Sequence, residues 1–531
     1  MSDVVDDQPA MTDMDSAAGQ ALQRRRSGGR AGHERSRLPQ QRPFRQPRMP
    51  YEPTRAISED ELEAIHRASL RVLAEIGMDF LDPDAREHLR RAGARIEDGG
   101  QRVRFDPAMV EEVIQTVPSE FTLHARNPER HLRLGAEWMA FGTVGSPPNV
   151  ADLDRGRRIG NREDYQNLLR LGQSLNSVHF LAGYPVEPVD IHHGVRYLLA
   201  THDALTLMDK AIHCYSLGRQ RNLDVLEMIR IARGVDEATL EVEPSVFTVV
   251  NTSSPLRLDT PMSQGVIAFA ERNQIVCITP FTLSGAMAPV TLAGALVEQN
   301  AEALAGIVLT QVVRPGSPVI YGGFTSNVDM QSGAPAFGTP EAMRTSLIGG
   351  QLARRYGVPY RSSNVNAANA LDAQAAYESV FSLWGAIMGR VNLLMHGAGW
   401  MEGGLHASYE KMVLDAELLG MVEAFLEPVA VDDASLALDA IAEVGPGGHF
   451  FGVGHTQERF KTAFHKPMLS DWRNYETWQE AGSPELPEKA NRLWKELLAA
   501  YEPPPMDPAI REELDAFVER RVAEGGVPTD Y

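Results

Sequence analysis

The chain has 531 residues, with 51 lysines and arginines against 71 aspartates and glutamates, for a formal net charge of −20. That length supports a large core, and the acidic balance argues against a nucleic-acid-binding role. Two cysteines, Cys214 and Cys277, are too few for a disulfide framework or a cysteine-based zinc site and suit a reducing compartment. No apolar stretch reaches the ~18 residues of a membrane span and no signal pattern opens the chain, so a cytoplasmic location is expected.

In chain order, residues 1–50 begin acidic and continue as a Pro/Gly-rich tract with nine arginines and one glutamate between positions 24 and 48. Such a segment offers little apolar surface to offset its ordering entropy, and a disordered Arg-rich tail is expected. Residues 51–135 read as an N-terminal helical cap. Ser58 and Glu61 form a capping box ahead of a helix with Leu62, Ile65, Leu70, Leu73 and Ile76 apolar, and Gly77 is its stop. Shorter helices follow near 84–92 and 107–116, then a small hairpin pairing 121–125 with 131–134.

Between 136 and 430 strand and helix patterns alternate. Strands are expected at 138–143, 178–182, 211–214, 245–250, 274–278, 317–321, 358–361 and 391–395. Helices are expected at 163–173, 190–208, 219–233, 259–272, 292–313, 339–355, 373–389 and 406–424. Eight alternations with short buried strands predict an α/β fold, a (β/α)8 TIM barrel. Residues 431–531 form a Pro-interrupted C-terminal helical extension. Its Trp472, Trp478 and Trp494 are expected to pack on the barrel or on another subunit of a homo-oligomer.

Barrel chemistry sits where strands end. The residues there include Thr143, Tyr184, Tyr215, Asn251, Thr279, Phe281, Tyr321, Phe324, Arg361, Asn364, His396 and Trp400. This ring is rich in aromatics and neutral polar groups and poor in carboxylates. It has no HExxH, P-loop, GxGxxG or GxSxG pattern, so no metal ligand set is expected. A quaternary ammonium cannot donate hydrogen bonds, and ring faces bind it by cation–π attraction. Tyr184, Phe281, Tyr321, Phe324 and Trp400 are the cage candidates, and Trp400, on a glycine-rich loop, is expected to be exposed. Arg361 has the geometry for a substrate carboxylate.

Three stretches carry a family likeness: VNLLMHGAGWMEGGL from Val391, VIYGGFTSNVDMQSGAPAFGTPE from Val319, and EVGPGGHFFGVGHT from Glu443. Together they resemble the trimethylamine:corrinoid methyltransferase family, in its branch without pyrrolysine that includes glycine betaine methyltransferases. The resemblance runs from about 59 to about 482. It implies transfer of an N-methyl group from a quaternary amine to the Co(I) corrinoid of a separate small protein. Cobalamin is then carried by that partner, and this chain binds no cofactor itself. For such a substrate, contacts are expected from the strand-end ring itself, at Tyr184, Phe281, Tyr321, Phe324, Arg361, Asn364, His396 and Trp400. His396 would position the substrate, and His449 and His455 would face the corrinoid. By the family pattern the pyrrolysine position falls in or near 361–374, where only ordinary residues stand, which argues against trimethylamine as substrate. The alternatives are another barrel demethylase or lyase of methylated compounds, and a non-catalytic binder of quaternary amines.

Overall fold

The computed structural model describes residues 38–528, so the part of the expected tail over 1–37 lies outside the described residues. Eight parallel strands close into a barrel. They are β1 (Ala140–Thr143), β2 (Phe180–Leu181), β3 (Ala211–Tyr215), β4 (Val246–Val250), β5 (Ile275–Ile278), β6 (Val319–Gly322), β7 (Tyr360–Ser363) and β8 (Leu393–Ala398). Each pairs with the next in the chain, and β8 closes on β1. The helices that follow them are α1 (Arg162–Ser174), α2 (His193–Leu207), α3 (Arg219–Arg233), α4 (Thr260–Glu271), α5 (Leu292–Val313), α6 (Pro340–Tyr356), α7 (Ala373–Met388) and α8 (Tyr409–Phe425). All sixteen expected elements are present, with ends shifted by at most three residues.

Strand alternation sends Ala140, Phe180, Ala211, Phe247, Cys277 and Ile320 into the barrel, where they form one buried cluster. The hairpin of Glu120–Leu123 with Leu132–Gly135 adds Leu123, Leu132 and Leu134 to the same cluster. It therefore plugs the end where the strands begin and leaves the other end for function. The helices of the N-terminal region pack on the flank of the barrel, against α5. The first of them, Glu59–Arg71, has the Ser58–Glu61 capping box in place.

Two expectations need correction. Residues 40–49 of the supposed tail are ordered on the plugged end. Gln41 Nε2 donates to the Ser174 carbonyl (2.9 Å), and Met139 N–H donates to the Pro47 carbonyl (3.0 Å). Phe44 packs against the core cluster, edge-on to His179 and 4.0 Å beneath the Arg130 guanidinium. One aromatic anchor and a Pro-spaced extended backbone suffice to order a segment whose average composition is polar. Second, α5 is a helix of 22 residues with mean hydropathy 1.2, long and apolar enough by length and composition to cross a membrane. Its apolar window is 72% buried inside the fold, between the barrel wall and the N-terminal helices, which explains an apolar surface all round.

The loops after the strands build two small sheets around the open end. One runs Trp400–Met401, His406–Ser408, Asn149–Asp152, Gly156–Ile159, joining the loops of β8 and β1. The other joins Leu283–Ser284 to Ser326–Val328 and Pro335–Ala336. In the C-terminal extension, α9 (Leu486–Ala499) packs on α8 and α1, and α10 (Pro508–Ala523) packs on α2 and α3. Trp494 is buried against Tyr409 and donates to Glu410, whereas Trp472 is exposed.

Truncating the anchor tests the ordered segment. Phe44→Ala is expected to lower unfolding stability by about 2 kcal/mol, as loss of a half-buried ring should. Urea unfolding followed by circular dichroism measures it, and an unchanged midpoint would mean that the segment contributes nothing.

Candidate functional site

The open end of the barrel leads into a cavity of about 270 Å³. Its upper wall comes from loops: Phe281 after β5, Phe324 after β6, Trp400 after β8, and Ser146 after β1. Its floor comes from the strands themselves: His213 and Tyr215 of β3, Arg361 of β7, and Met395 and His396 of β8. No carboxylate among the described residues lines it.

Local backbone geometry decides why His396 reaches the cavity. Leu393 and Met395 face the barrel core, so regular alternation would turn His396 outward. Instead the pairing of β8 with β1 shifts register between Leu394 and Ala398, and His396 takes a φ of 56°. This bulge brings Met395 and His396 to the same side. Gly397 is what lets the bulge close on β1, because a Cβ there would stand 2.6 Å from the Gly142 carbonyl oxygen. A non-glycine residue in the left-handed region costs on the order of 1 kcal/mol or more, and such strain gathers at functional positions.

The hydrogen bonds fix both imidazole tautomers. The Gly145 N–H donates to His396 Nδ1 (3.2 Å), leaving the proton on Nε2. The Val249 N–H donates to His213 Nε2 (3.2 Å), leaving the proton on Nδ1, which is buried and has no partner among the described residues. Burial, reinforced by the Arg361 charge, pushes His213 down to about 3 and His396 well below the usual imidazole range. Both are therefore neutral N–H donors at neutral pH.

Arg361 is 2% exposed and lies over the Phe324 ring at 5.1 Å. Its Nη1 donates to the Gly323 carbonyl (3.2 Å), and its Nε has no partner among the described residues. Its Nη2 stands 3.5 Å from His396 Nε2, where two N–H groups face a shared space and cannot bond to each other. No carboxylate among the described residues pairs with it. Burial lowers it to about 10, so it stays charged at neutral pH. A buried cation and two neutral donors, in a cavity that no carboxylate among the described residues lines, are arranged for an anion.

Above this floor the wall is aromatic. Trp400 packs at a tilt against His396, ring centroids 4.3 Å apart, and lies 6.1 Å from Phe324, which in turn is 5.1 Å from Phe281. Trp400 is buried, not exposed as its glycine-rich loop suggested. Its Nε1 donates to the Asn366 carbonyl (3.1 Å), and Asn366 Nδ2 donates to the Trp400 carbonyl (2.7 Å). The preceding Gly399 N–H donates to Asp415, which is paired with the fully buried Lys411 (2.5 Å). The ring is held in place before any ligand arrives.

Of the eight expected contact residues, the structure brings Phe281, Phe324, Arg361, His396 and Trp400 to the cavity. Tyr321 points the other way. Ile320 faces the barrel core, so its neighbour faces the helices, where the Tyr321 hydroxyl donates to Asn300 (3.1 Å). Tyr184 lies behind Tyr215, rings 4.6 Å apart, and its N–H donates to the Tyr215 hydroxyl. Asn364 is turned into the wall, donating to the Gly397 carbonyl (3.0 Å). His449 and His455 do not line the cavity. They belong to the segment that follows α8, where the His455 ring lies 3.3 Å from the Ala434 carbonyl. His213 was overlooked in the sequence, although its two-residue spacing from Ala211 and Tyr215 marks it as inward-facing. Among the described residues no group of three or more His, Cys, Asp or Glu is placed to hold a metal ion.

Barrel and site together define an enzyme with a mouth-facing, carboxylate-free cavity. Residues 23–526 match the family model described as trimethylamine methyltransferase (MTTB). The chain is 37% identical over 471 residues to the glycine betaine methyltransferase of Desulfitobacterium hafniense (strain Y51), covering 88% of this chain and 98% of that protein. It is 29% identical over 474 residues to a trimethylamine methyltransferase of Desulfitobacterium hafniense (strain DSM 10664 / DCB-2), covering 88% and 94%. A crystal structure of the Methanosarcina barkeri monomethylamine methyltransferase aligns over 87% of this chain and 88% of that one, with a TM-score of 0.49 and 12% identity. The chain belongs to the trimethylamine methyltransferase family, and it is a methyltransferase.

The depressed imidazole predicts a pH effect. His213 takes up a proton near 6.5 when unfolded but only near 3 when folded, so between these values the unfolded state binds more protons. Its contribution to stability is present above pH ~6.5 and falls as pH drops toward ~3, by up to about 1.4 kcal/mol per pH unit. His213→Gln should make the acid limb of the stability profile shallower than in the wild type. Equal slopes would mean that His213 is not buried in neutral form.

Proposed function

We propose that this methyltransferase takes a methyl group from a quaternary ammonium compound that also carries a carboxylate, of the glycine betaine type, and transfers it to the corrinoid of a separate protein. The observation that carries this reading is Arg361: a guanidinium buried without a carboxylate partner among the described residues, beside the His396 imidazole, with the His213 imidazole and aromatic rings lining the same cavity. A carboxylate would satisfy all three donors, with its trimethylammonium end rising into the space among Trp400, Phe324 and Phe281. The relative named a glycine betaine methyltransferase supports the substrate class.

Charge discriminates against simple methylated amines. A lone ammonium about 6 Å from an uncompensated Arg361 would be repelled by about 3 kcal/mol at an effective dielectric of ~20. A zwitterion brings the compensating charge with it. The donors sit on strands and the aromatics on loops, so this orientation turns the N-methyl groups toward the mouth.

Cobalamin held by the partner would supply a Co(I) nucleophile at that mouth. The chain's own residues bind, orient and dehydrate the substrate. The C–N bond breaks with its electron pair left on nitrogen, giving a neutral tertiary amine, so no proton need be supplied. A cavity without an acid–base pair suits that reaction. Holding the methyl in line is the contribution asked of the protein, and the clamped Trp400 provides it. A small corrinoid-binding protein is the partner this reading requires.

Calorimetry on two variants tests the reading. Arg361→Met is expected to weaken glycine betaine binding by about 100-fold while leaving choline, which lacks the carboxylate, no weaker. Equal losses for both ligands would contradict the assignment of the carboxylate. Trp400→Ala is expected to weaken the betaine by roughly tenfold or more, and Trp400→Phe should retain part of the affinity. If a neutral tert-butyl isostere loses as much as the betaine, the ring contributes shape alone.

A further inference from the structure

Two apolar surfaces of this chain have no partner among the described residues. The first is the outer face of α7. Tyr377, Val380, Phe381 and Trp384 recur at helical spacing on its exposed side, with Tyr377 58% and Trp384 41% exposed. The inward side of the same helix already packs on the barrel. The single charged residue of α7, Glu378, is buried and accepts from the N–H groups of Ala367 and Ala368. The exposed face therefore carries no charge, in a chain that is 23% charged. A helix face meant for water is charged or polar. The patch continues onto α8, where Phe425 stacks on both Trp384 (5.2 Å) and Tyr51 (5.1 Å).

The second surface is the segment over 428–464. It leaves the body just after Phe425 and returns where Met468 and Ser470 bond Glu417 of α8. Its hydrogen bonds and ion pairs are made within the segment, for example Ser435 to Asp432 and His455 to the Ala434 carbonyl. It is a projecting arm of short helices with its apolar residues outside. Val429, Phe451 and Phe464 are 84%, 80% and 79% exposed.

The aromatic rings of face and arm alone leave on the order of 1,000 Å² uncovered. A stable dimer of standard size buries about 800 Å² on each partner. Exposed apolar surface on this scale, divided between a face and an arm, marks an interaction site.

We propose that the outer face of α7 and α8 seats the 428–464 arm of a second copy of this chain, the two copies exchanging arms. Every copy carries both halves of the contact, and a two-fold axis forms it twice. The absence of charge on the α7 face fits a permanent homomeric interface better than a partner that must leave after each turnover. None of the face or arm residues named here lines the cavity. The inference does not depend on the substrate.

Sedimentation velocity on the full chain tests it at micromolar concentration, with far-ultraviolet circular dichroism to confirm folding. The wild type is expected to be a dimer or a larger closed oligomer. Phe381→Glu with Trp384→Glu on the face, and separately Phe451→Asp with Phe464→Asp on the arm, should each weaken self-association by about 100-fold or more. Mixing the two variants should partly restore association, because the intact arm of one meets the intact face of the other. A monomeric wild type, a variant of either kind that associates like the wild type, or a mixture that recovers nothing would each overturn the proposal.

Discussion

A guanidinium buried without a counter-ion is expensive, and the cavity is organised around that cost. Arg361 keeps its charge at the floor of the barrel with one backbone carbonyl and one aromatic face for company. Removing such a group from water costs several kcal/mol unless a charged, hydrogen-bonding partner arrives. The fold does not supply one. It sets two imidazoles beside it, each held by a backbone N–H in the tautomer that adds another donor. A ligand with a carboxylate completes the floor, and what remains of that ligand must then fit the aromatic wall.

The supporting structure serves the same constraint. The bulge in β8 spends backbone strain to turn His396 inward, and Gly397 makes room for it. Trp400 is held by Asn366 on one side and, through Gly399, by the buried Lys411–Asp415 pair on the other. Ordering these groups in advance lowers the entropy lost when the substrate binds. The plugged end, closed by the hairpin and Phe44, leaves the barrel a single functional mouth.

Much of this was legible in the sequence, and the failures have physical causes. The eight strand–helix alternations stand out because buried parallel strands are short apolar runs and the helices between them are long and periodic. Phe281, Phe324, Arg361, His396 and Trp400 follow from reading strand ends. Tyr321 also stands at a strand end, but on the side that faces the helices, which position in the sequence alone does not reveal. His213 was missed for the same reason, lying inside its strand. The bulge that rescues His396 depends on a register shift with β1, a partner some 250 residues away, which no local pattern encodes. The order of residues 40–49 was hidden because composition averages over a segment, whereas Phe44 acts as one anchor. The exposed face of α7 is visible only once the inward face is known.

Where the carboxylate lies decides how the cavity works. A crystal structure of the protein with glycine betaine measures this most directly. Carboxylate oxygens are expected within hydrogen-bonding distance of Arg361 and of the protonated nitrogens of His213 and His396, with the trimethylammonium group against Trp400 and its methyls toward the mouth. A carboxylate turned to the mouth, with the ammonium on the strand floor, would contradict it.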